Sequence, residues 1–255
     1  MKYFAKIRYL GTDFSGFQVQ PGRRTVQGEL CRALSEALGA PCKVTGCSRT
    51  DRGVHANEFC FTVDCDGATV PPEKLPVAVA RFLPVDLSLF YASACADEFH
   101  PRYDVEGKEY LYRIINEKVF NPFEYGRAWF LPRPITDEMI EKMRLAAGAF
   151  IGKHDFSAFM SEGSDTEDRV RNVTSLTVDK IGSEIDIRIR ADGFLYNMVR
   201  IIVGTLIEVA YGRIPPERIS SIILSLDRSL AGMTAPPEGL YLNRVFYSRD
   251  PSRVE

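Results

Sequence analysis

KEYLYRII, residues 108–115, alternates Tyr110, Tyr112 and Ile114 with the side chains at 111, 113 and 115. A period of two residues is typical of a half-buried β-strand. The same alternation begins the chain, where residues 3, 5, 7 and 9 are apolar or aromatic. A strand that recurs in this way predicts a chain of two similar halves.

Each half continues with alternating helix and strand patterns. In the first half, apolar residues every four positions predict a helix over 25–39, which ends at a glycine. The other elements predicted for this half are a strand over 58–63, a helix over 72–82 that Pro76 could shorten, and a strand over 87–96. For the second half they are a helix over 136–150, strands over 173–178 and 185–189, helices over 194–211 and 215–226, and a strand over 240–247.

Each half is thus close to β-α-β-β-α-β, the order of a ferredoxin-like unit. The predicted fold class is α+β, with two ferredoxin-like halves, adjoining antiparallel sheets and a central cleft. The predicted domains are 1–104, which carries the loop described next, and 105–255.

Composition predicts a soluble protein that stays where it is made, and not a membrane protein or one held together by disulfides. The 255 residues are 45% hydrophobic, with a net charge of −2. No window reaches the length of a membrane span and the N-terminus lacks a signal-peptide core, which predicts a cytoplasmic location. The six cysteines have irregular spacings without histidine at ligand spacing, so we expect reduced thiols and no metal site.

GCSRTDRGVHA, residues 46–56, places Asp51 between Arg49 and Arg52. Asp51 has two plausible roles, as part of a polar turn or as a nucleophile or general base; as a metal ligand it lacks partners in sequence. A catalytic carboxylate in a desolvated site needs a countercharge to stay ionised, and arginine provides one at every physiological pH.

Arg200 is a candidate for that countercharge. It lies in NMVRIIV, residues 197–203, where its neighbours other than Asn197 are apolar. An arginine on such a helix either extends to the helix edge or pairs with a buried acid. We expect the pairing, with Asp51 as the acid.

Several blocks of the chain resemble the TruA family of tRNA pseudouridine synthases, whose signature is GRTDxGVHA. Besides residues 46–56, the similar blocks are YLGTDFSGFQ (9–18), TVQ (25–27), FHPR (99–102), KEYLY (108–112), GKHDF (152–156), FLYNMVRIIVG (194–204) and APPEGLYL (235–242). They occur in one order over most of the chain, so the likeness is much more specific than any single motif.

The resemblance implies a function and a set of roles. Asp51 would be the nucleophile, Tyr110 would stack on the target uracil, and Arg200 would pair with Asp51. Arg49 would help displace the target base from the stem-loop and fill the space it leaves. The substrate would be the anticodon stem-loop of tRNA at positions 38, 39 and 40, no cofactor would be needed, and the protein would act as a homodimer.

Local basic clusters are the candidates for phosphate contacts, although charge alone favours a solvated surface over a ligand-binding one. These clusters are Arg23 with Arg24, and Arg169 with Arg171. Cys47-Ser48 and Glu58 depart from the family pattern, and Glu58 adds a negative charge near the predicted RNA-facing loop.

Without the family resemblance, the residues are also compatible with two other functions. The first is a non-catalytic RNA-binding module, which would not need Asp51 and Arg200 as a pair. The second is a nucleoside glycosidase, which would need a second carboxylate, with Asp13 and Asp155 as the nearest candidates.

Overall fold

The computed structural model describes residues 2–163, 166–248 and 251. The strands are β1 (Lys2–Tyr9), β2 (Cys42–Gly46), β3 (His55–Cys65), β4 (Leu87–Ala94), β5 (Val105–Ile115), β6 (Trp129–Phe130), β7 (Gly152–Asp155), β8 (Val170–Ile181), β9 (Glu184–Ala191) and β10 (Leu240–Tyr247). The α-helices are α1 (Val26–Leu38), α2 (Leu75–Ala80), α3 (Asp137–Gly148), α4 (Met198–Ala210) and α5 (Arg218–Ser225). The chain forms two compact units, one up to Glu106 together with the residues from Tyr241 onward, and the other Gly107–Leu240. The division at 104/105 stays a prediction.

The first unit is built on an antiparallel sheet with strand order β4-β1-β3-β2. Helices α1 and α2 lie against β2 and β4. The element order β1-α1-β2-β3-α2-β4 is the ferredoxin-like order, so the predicted α+β class is confirmed. Strand β10 joins the start of β3 in parallel, with Tyr241 opposite His55.

The sequence pattern of α1 explains its two ends and its buried face. Thr25 accepts a hydrogen bond from the Gly28 amide at the start, and Gly39, with φ of 70°, ends the helix. Leu30 and Leu34 are fully buried. The helix predicted from the four-residue spacing is confirmed.

The second unit has an antiparallel sheet in the order β7-β8-β9-β5, with β6 parallel to β5. Helices α3 and α4 pack against each other, and α3 also packs on β8. The turn between β8 and β9 contains Gly182 at φ of 61°, which agrees with the predicted hairpin.

Some predicted boundaries were wrong. Helix α4 begins at Met198 and not at Phe194, because Asn197 adopts a left-handed conformation with φ of 60° that interrupts the helix. The helix expected over 72–82 is a short 3-10 turn followed by α2, with Pro76 in the first turn of α2. Strands β2, β6 and β7 were not predicted.

All six cysteines are free thiols. Burial raises the pKa of the Cys42 thiol to about 12, so this thiol stays protonated near neutral pH. In the part of the chain that the structure describes, no group of three or more His, Cys, Asp or Glu side chains could hold a metal ion. No helix there is long and apolar enough to cross a membrane.

Candidate active site

Asp51 lies on the connection between β2 and β3 in the first unit. The backbone turns sharply after it, because the Val54 amide donates to the Asp51 carbonyl at 3.2 Å and Gly53 has φ of 80°. A positive φ at the third position of such a turn is easily adopted by glycine. The polar turn expected from the sequence is therefore present, and its half-buried aspartate is its first residue.

A second segment, residues 11–17, holds this turn in place and is called the clamp segment below. The Phe17 amide donates to the Thr50 carbonyl at 3.1 Å, on one side of Asp51. The Gly53 amide donates to the Phe14 carbonyl at 3.4 Å, on the other side. The backbone on both sides of the carboxylate is thus tied to a single neighbouring segment.

Two glycines allow the clamp segment to approach so closely. A Cβ atom at Gly11 would lie 1.9 Å from the Val54 carbonyl oxygen, and one at Gly16 would lie 2.8 Å from the Thr50 carbonyl oxygen. Gly16 also has φ of 90°. Any larger residue at Gly11 would therefore have to displace the turn that carries Asp51.

Buried side chains fix the ends of the loop. The Tyr9 and Thr50 hydroxyls are 2.8 Å apart and share a hydrogen bond in the interior. His55 is fully buried, its Nδ1 accepts from the Gly11 amide at 2.8 Å, and its ring stacks on Tyr241 at 4.5 Å. These contacts were not predicted from the sequence, because each joins residues that are far apart along the chain.

The arginines of the first unit divide into exposed and structural ones. Arg49 and Arg23 are exposed, and their roles toward a ligand stay predictions. Arg24 instead makes two 2.8 Å hydrogen bonds to the Asp86 carboxylate, and its guanidinium lies 4.1 Å from the centre of the Phe14 ring. The Asp86 hydrogen bonds raise the pKa of Arg24. Arg24 therefore secures Phe14 of the clamp segment.

Arg200 lies in the first turn of α4, in the second unit, and is half-buried. Its Nε donates to the Ala235 carbonyl at 2.7 Å, and Nη1 donates to Oδ1 of Asn197 at 2.7 Å. Nδ2 of Asn197 donates in turn to the Ser161 hydroxyl at 3.0 Å. Two neutral acceptors thus orient the guanidinium.

The backbone that orients Arg200 is itself tightly packed. A Cβ atom at Gly204 of α4 would lie 1.8 Å from the Met233 carbonyl oxygen. The backbone at Met233, two residues before Ala235, therefore packs directly against α4. The Tyr112 hydroxyl donates to the Pro236 carbonyl at 2.7 Å. Burial raises the pKa of Tyr112 well above its usual value, and the charge of Arg200 opposes that shift.

Tyr110 lies on β5 opposite Ile189 of β9. Its side chain is 7% exposed, and its ring meets Phe194 edge to face at a centroid distance of 5.0 Å. A ring held in this way has little rotational freedom, which suits a stacking surface as well as a core position.

Other predicted residues have ordinary contacts. Arg169 is exposed, and Arg171 donates to the backbone carbonyls of Asp168 and Val170 at 3.0 and 2.6 Å. Asp13 is exposed, and Asp155 accepts from the amide and hydroxyl of Ser157. The charge of Glu58 is offset by Lys6 at 3.0 Å.

The predicted catalytic residue and the predicted substrate-binding residues are divided between the two units. Asp51 and Arg49 belong to the first unit, and Tyr110 and Arg200 belong to the second. The ion pair between Asp51 and Arg200 stays a prediction.

Comparison with known proteins gives consistent matches. The family described as tRNA pseudouridine synthase matches residues 5–104 and 146–248. tRNA pseudouridine synthase A of Thermoanaerobacter sp. (strain X514) is 42% identical over 241 residues, which cover 94% of this chain and 97% of that protein. tRNA pseudouridine synthase A 2 of Clostridium tetani is 41% identical over 247 residues, which cover 95% of this chain and 97% of that protein. tRNA pseudouridine synthase A of Bacillus pumilus is 39% identical over 249 residues, which cover 97% of this chain and 99% of that protein.

Proposed function

The chain belongs to the tRNA pseudouridine synthase family, and from that premise we propose that it converts uridine to pseudouridine in the anticodon stem-loop, with Asp51 as the catalytic carboxylate. The proposed target positions are 38, 39 and 40 of tRNA. The observation that carries the proposal is the position of Asp51 at a turn that the clamp segment holds on both sides.

The reaction needs a fixed carboxylate because the uracil must leave and rejoin the same ribose. The C1′–N1 bond breaks, and the uracil leaves with the electron pair of that bond. The base then turns until C5 faces C1′, the C5–C1′ bond forms, the proton on C5 is removed and N1 carries a proton. Nothing is gained or lost overall, so the chemistry requires no cofactor.

Asp51 assists the first step in one of two ways. It either forms a covalent bond to C1′ and leaves when C5 attacks, or stabilises the positive charge that develops on the ribose. Both routes depend on a position accurate to a fraction of an ångström, because a misplacement of about 1 Å reduces rates about a hundredfold. The backbone hydrogen bonds on either side of Asp51 favour such accuracy.

The other site residues act on the base and its surroundings in this proposal. Arg200 pairs with Asp51 and keeps its carboxylate ionised, and its bonds to Ala235 and Asn197 fix the direction of the guanidinium. Tyr110 stacks on the loose uracil. The exposed Arg49 fills the space that the flipped base leaves, since flipping itself costs a few kcal/mol.

We also propose that the enzyme is a homodimer with one tRNA spanning both subunits, and that Arg169 contacts the tRNA away from the acting Asp51. A mixture of an Asp51→Asn chain and an Arg169→Glu chain tests this by complementation. Recovery of activity above that of either chain alone supports the shared tRNA, and a fully active monomer contradicts it. Arg171 is a poorer choice for this test, because its guanidinium also holds backbone carbonyls.

Incubation with an unmodified tRNA transcript separates the candidate functions. We expect pseudouridine at one or more of positions 38–40, detected position by position, with no free uracil. Release of free uracil would indicate a glycosidase, and tight binding without any change in the RNA would indicate a binding module. Asp13→Asn is the matched control, because Asp13 is an exposed carboxylate of the clamp segment and should leave the rate unchanged.

A further inference from the structure

The turn 100–104 of the first unit presents a stacked pair of aromatic rings that the chemistry above does not use. The rings of His100 and Tyr103 lie 4.2 Å apart with an interplanar angle of 26°. Tyr103 is nonetheless 78% exposed. An aromatic side chain this exposed is usually free to rotate, whereas this one is stacked on a neighbouring ring.

Hydrogen bonds inside the turn hold the histidine ring. Nδ1 of His100 accepts from the amides of Arg102 and Tyr103 at 3.1 and 3.2 Å. The Asp104 carboxylate accepts from the His100 amide at 2.8 Å, and the Asp104 amide donates to the His100 carbonyl at 3.1 Å. The ring beneath Tyr103 is therefore fixed with respect to the backbone.

The turn 100–104 is also anchored to the hydrophobic core of the first unit. Phe99 is 1% exposed and packs edge to face against Phe4 and Tyr247. The Tyr247 hydroxyl donates to the Pro101 carbonyl at 2.8 Å, and the Lys2 ammonium donates to the Phe99 carbonyl at 2.8 Å. These contacts make the turn a rigid mount for one exposed ring.

We propose that Tyr103 is a stacking platform for an unpaired base of the tRNA substrate, apart from the flipped target uridine, with Arg102 beside it for the adjoining phosphate. The inference rests on the proposed function, because it takes tRNA as the ligand. Proteins that bind unpaired nucleotides stack successive bases on aromatic rings and hold the backbone with basic side chains. Because Tyr103 is already ordered, little rotamer entropy is lost when a base stacks on it. Arg102 is exposed next to it.

Variants of Tyr103 test the stacking by affinity. In an Asp51→Asn background, which removes turnover, Tyr103→Ala and Tyr103→Leu should each raise the tRNA Kd about 5- to 150-fold, the range that one stacked base is worth. Tyr103→Phe and Tyr103→Trp should stay within about twofold of the parent. With Asp51 intact, KM should rise in Tyr103→Ala while kcat stays the same.

A matched control uses the other unit. Tyr125 is 73% exposed but meets Phe120 only edge to face, at 6.5 Å, so Tyr125→Ala should leave Kd unchanged. Tyr103→Leu with parental affinity and an unchanged unfolding midpoint would overturn the proposal. A lowered midpoint with unchanged Kd would also overturn it, because Tyr103 would then only cover the turn.

A spectroscopic signal reports the stacking directly. The chain has one tryptophan, Trp129, so a Trp129→Phe/Tyr103→Trp variant carries a single tryptophan on the platform. Its fluorescence should be quenched when tRNA binds, since a base stacked on indole quenches it, and unquenched emission at saturating tRNA would contradict the proposal. Failure of the wild-type chain to form pseudouridine would instead contradict the proposed function, and the Kd and quenching measurements would still test the platform.

Discussion

Gly11→Ala is the substitution that most sharply tests whether the clamp segment positions Asp51. The added Cβ would lie 1.9 Å from the Val54 carbonyl oxygen and 2.5 Å from the Val54 carbonyl carbon. Both are backbone atoms, so no side chain can rotate away. The oxygen must move by about 1.1 Å to reach a tolerable 3.0 Å separation, and Val54 closes the turn that begins at Asp51.

A shift of this size has two expected consequences. The unfolding free energy should fall by about 1–3 kcal/mol, the usual effect of forcing a methyl group into a packed region. The kcat should fall by up to about a hundredfold, the loss that accompanies a catalytic group displaced by about 1 Å, because the Val54 amide is hydrogen-bonded to the Asp51 carbonyl and a shift of Val54 is passed on to Asp51. The tRNA Kd should change by less than threefold, since phosphate contacts elsewhere dominate affinity.

The assay compares single-turnover pseudouridine formation, tRNA Kd and denaturant unfolding in Gly11→Ala and Gly148→Ala. The second variant is the matched control, because a Cβ at Gly148 meets nothing within 4 Å at the end of α3. It should keep full activity and gain up to about 1 kcal/mol of stability from helix propensity. A Gly11→Ala enzyme with wild-type kcat would refute the argument that the clamp segment positions the carboxylate.

Three further predictions concern the second unit. Arg200→Lys should lower kcat at least a hundredfold and the free energy of unfolding by about 1–3 kcal/mol. Lysine keeps the charge but cannot donate hydrogen bonds to both Ala235 and Asn197. A wild-type kcat in this variant would exclude Arg200 from the site. Tyr112→Phe should lower the unfolding free energy by about 0.5–1.5 kcal/mol or more, since it leaves the Pro236 carbonyl without this donor, and an unchanged denaturation midpoint would argue against that bond. Desolvation raises the pKa of Asp186, whose Oδ1 has no hydrogen-bond partner within the described chain. The folded protein therefore binds this proton more tightly than the unfolded chain does, so the free energy of unfolding should fall as pH rises from the ordinary aspartate pKa of 3.8 through the raised pKa. Asp186→Asn should remove that pH dependence in unfolding experiments, and identical pH profiles for the two proteins would contradict the shift.

The local parts of the fold could be predicted from the sequence. Helix α1 shows both a strong four-residue pattern and recognisable ends, at Thr25 and Gly39. Strand β2 could not be predicted in the same way, because Val44 is its one buried residue and its sequence shows no alternation of apolar and polar side chains. The start of α4 was misplaced because a left-handed Asn197 depends on its contacts with Ser161 and Arg200.

The candidate site was only partly predictable for a related reason. The motif at 46–56 predicts a turn at Asp51, since an aspartate followed two positions later by a glycine favours a turn within a few residues of chain. The clamp segment is not local: Gly11 and Gly16 are needed because backbone from elsewhere in the chain approaches them. The same applies to Arg24, which the sequence suggested as a phosphate contact and which the structure places on Asp86 and Phe14.

The central claim is that the Asp51 carboxylate performs the chemistry, and one measurement tests it most directly. Single-turnover pseudouridine formation at tRNA positions 38–40 is compared for the wild-type chain, Asp51→Asn and Asp13→Asn, with tRNA Kd measured for each. We predict that Asp51→Asn forms no detectable pseudouridine while its Kd stays within about tenfold of wild type, because affinity rests mainly on phosphate contacts. Asp13→Asn should match the wild type in both. Pseudouridine formation by Asp51→Asn at a rate close to wild type would contradict the account and leave GCSRTDRGVHA as a turn alone.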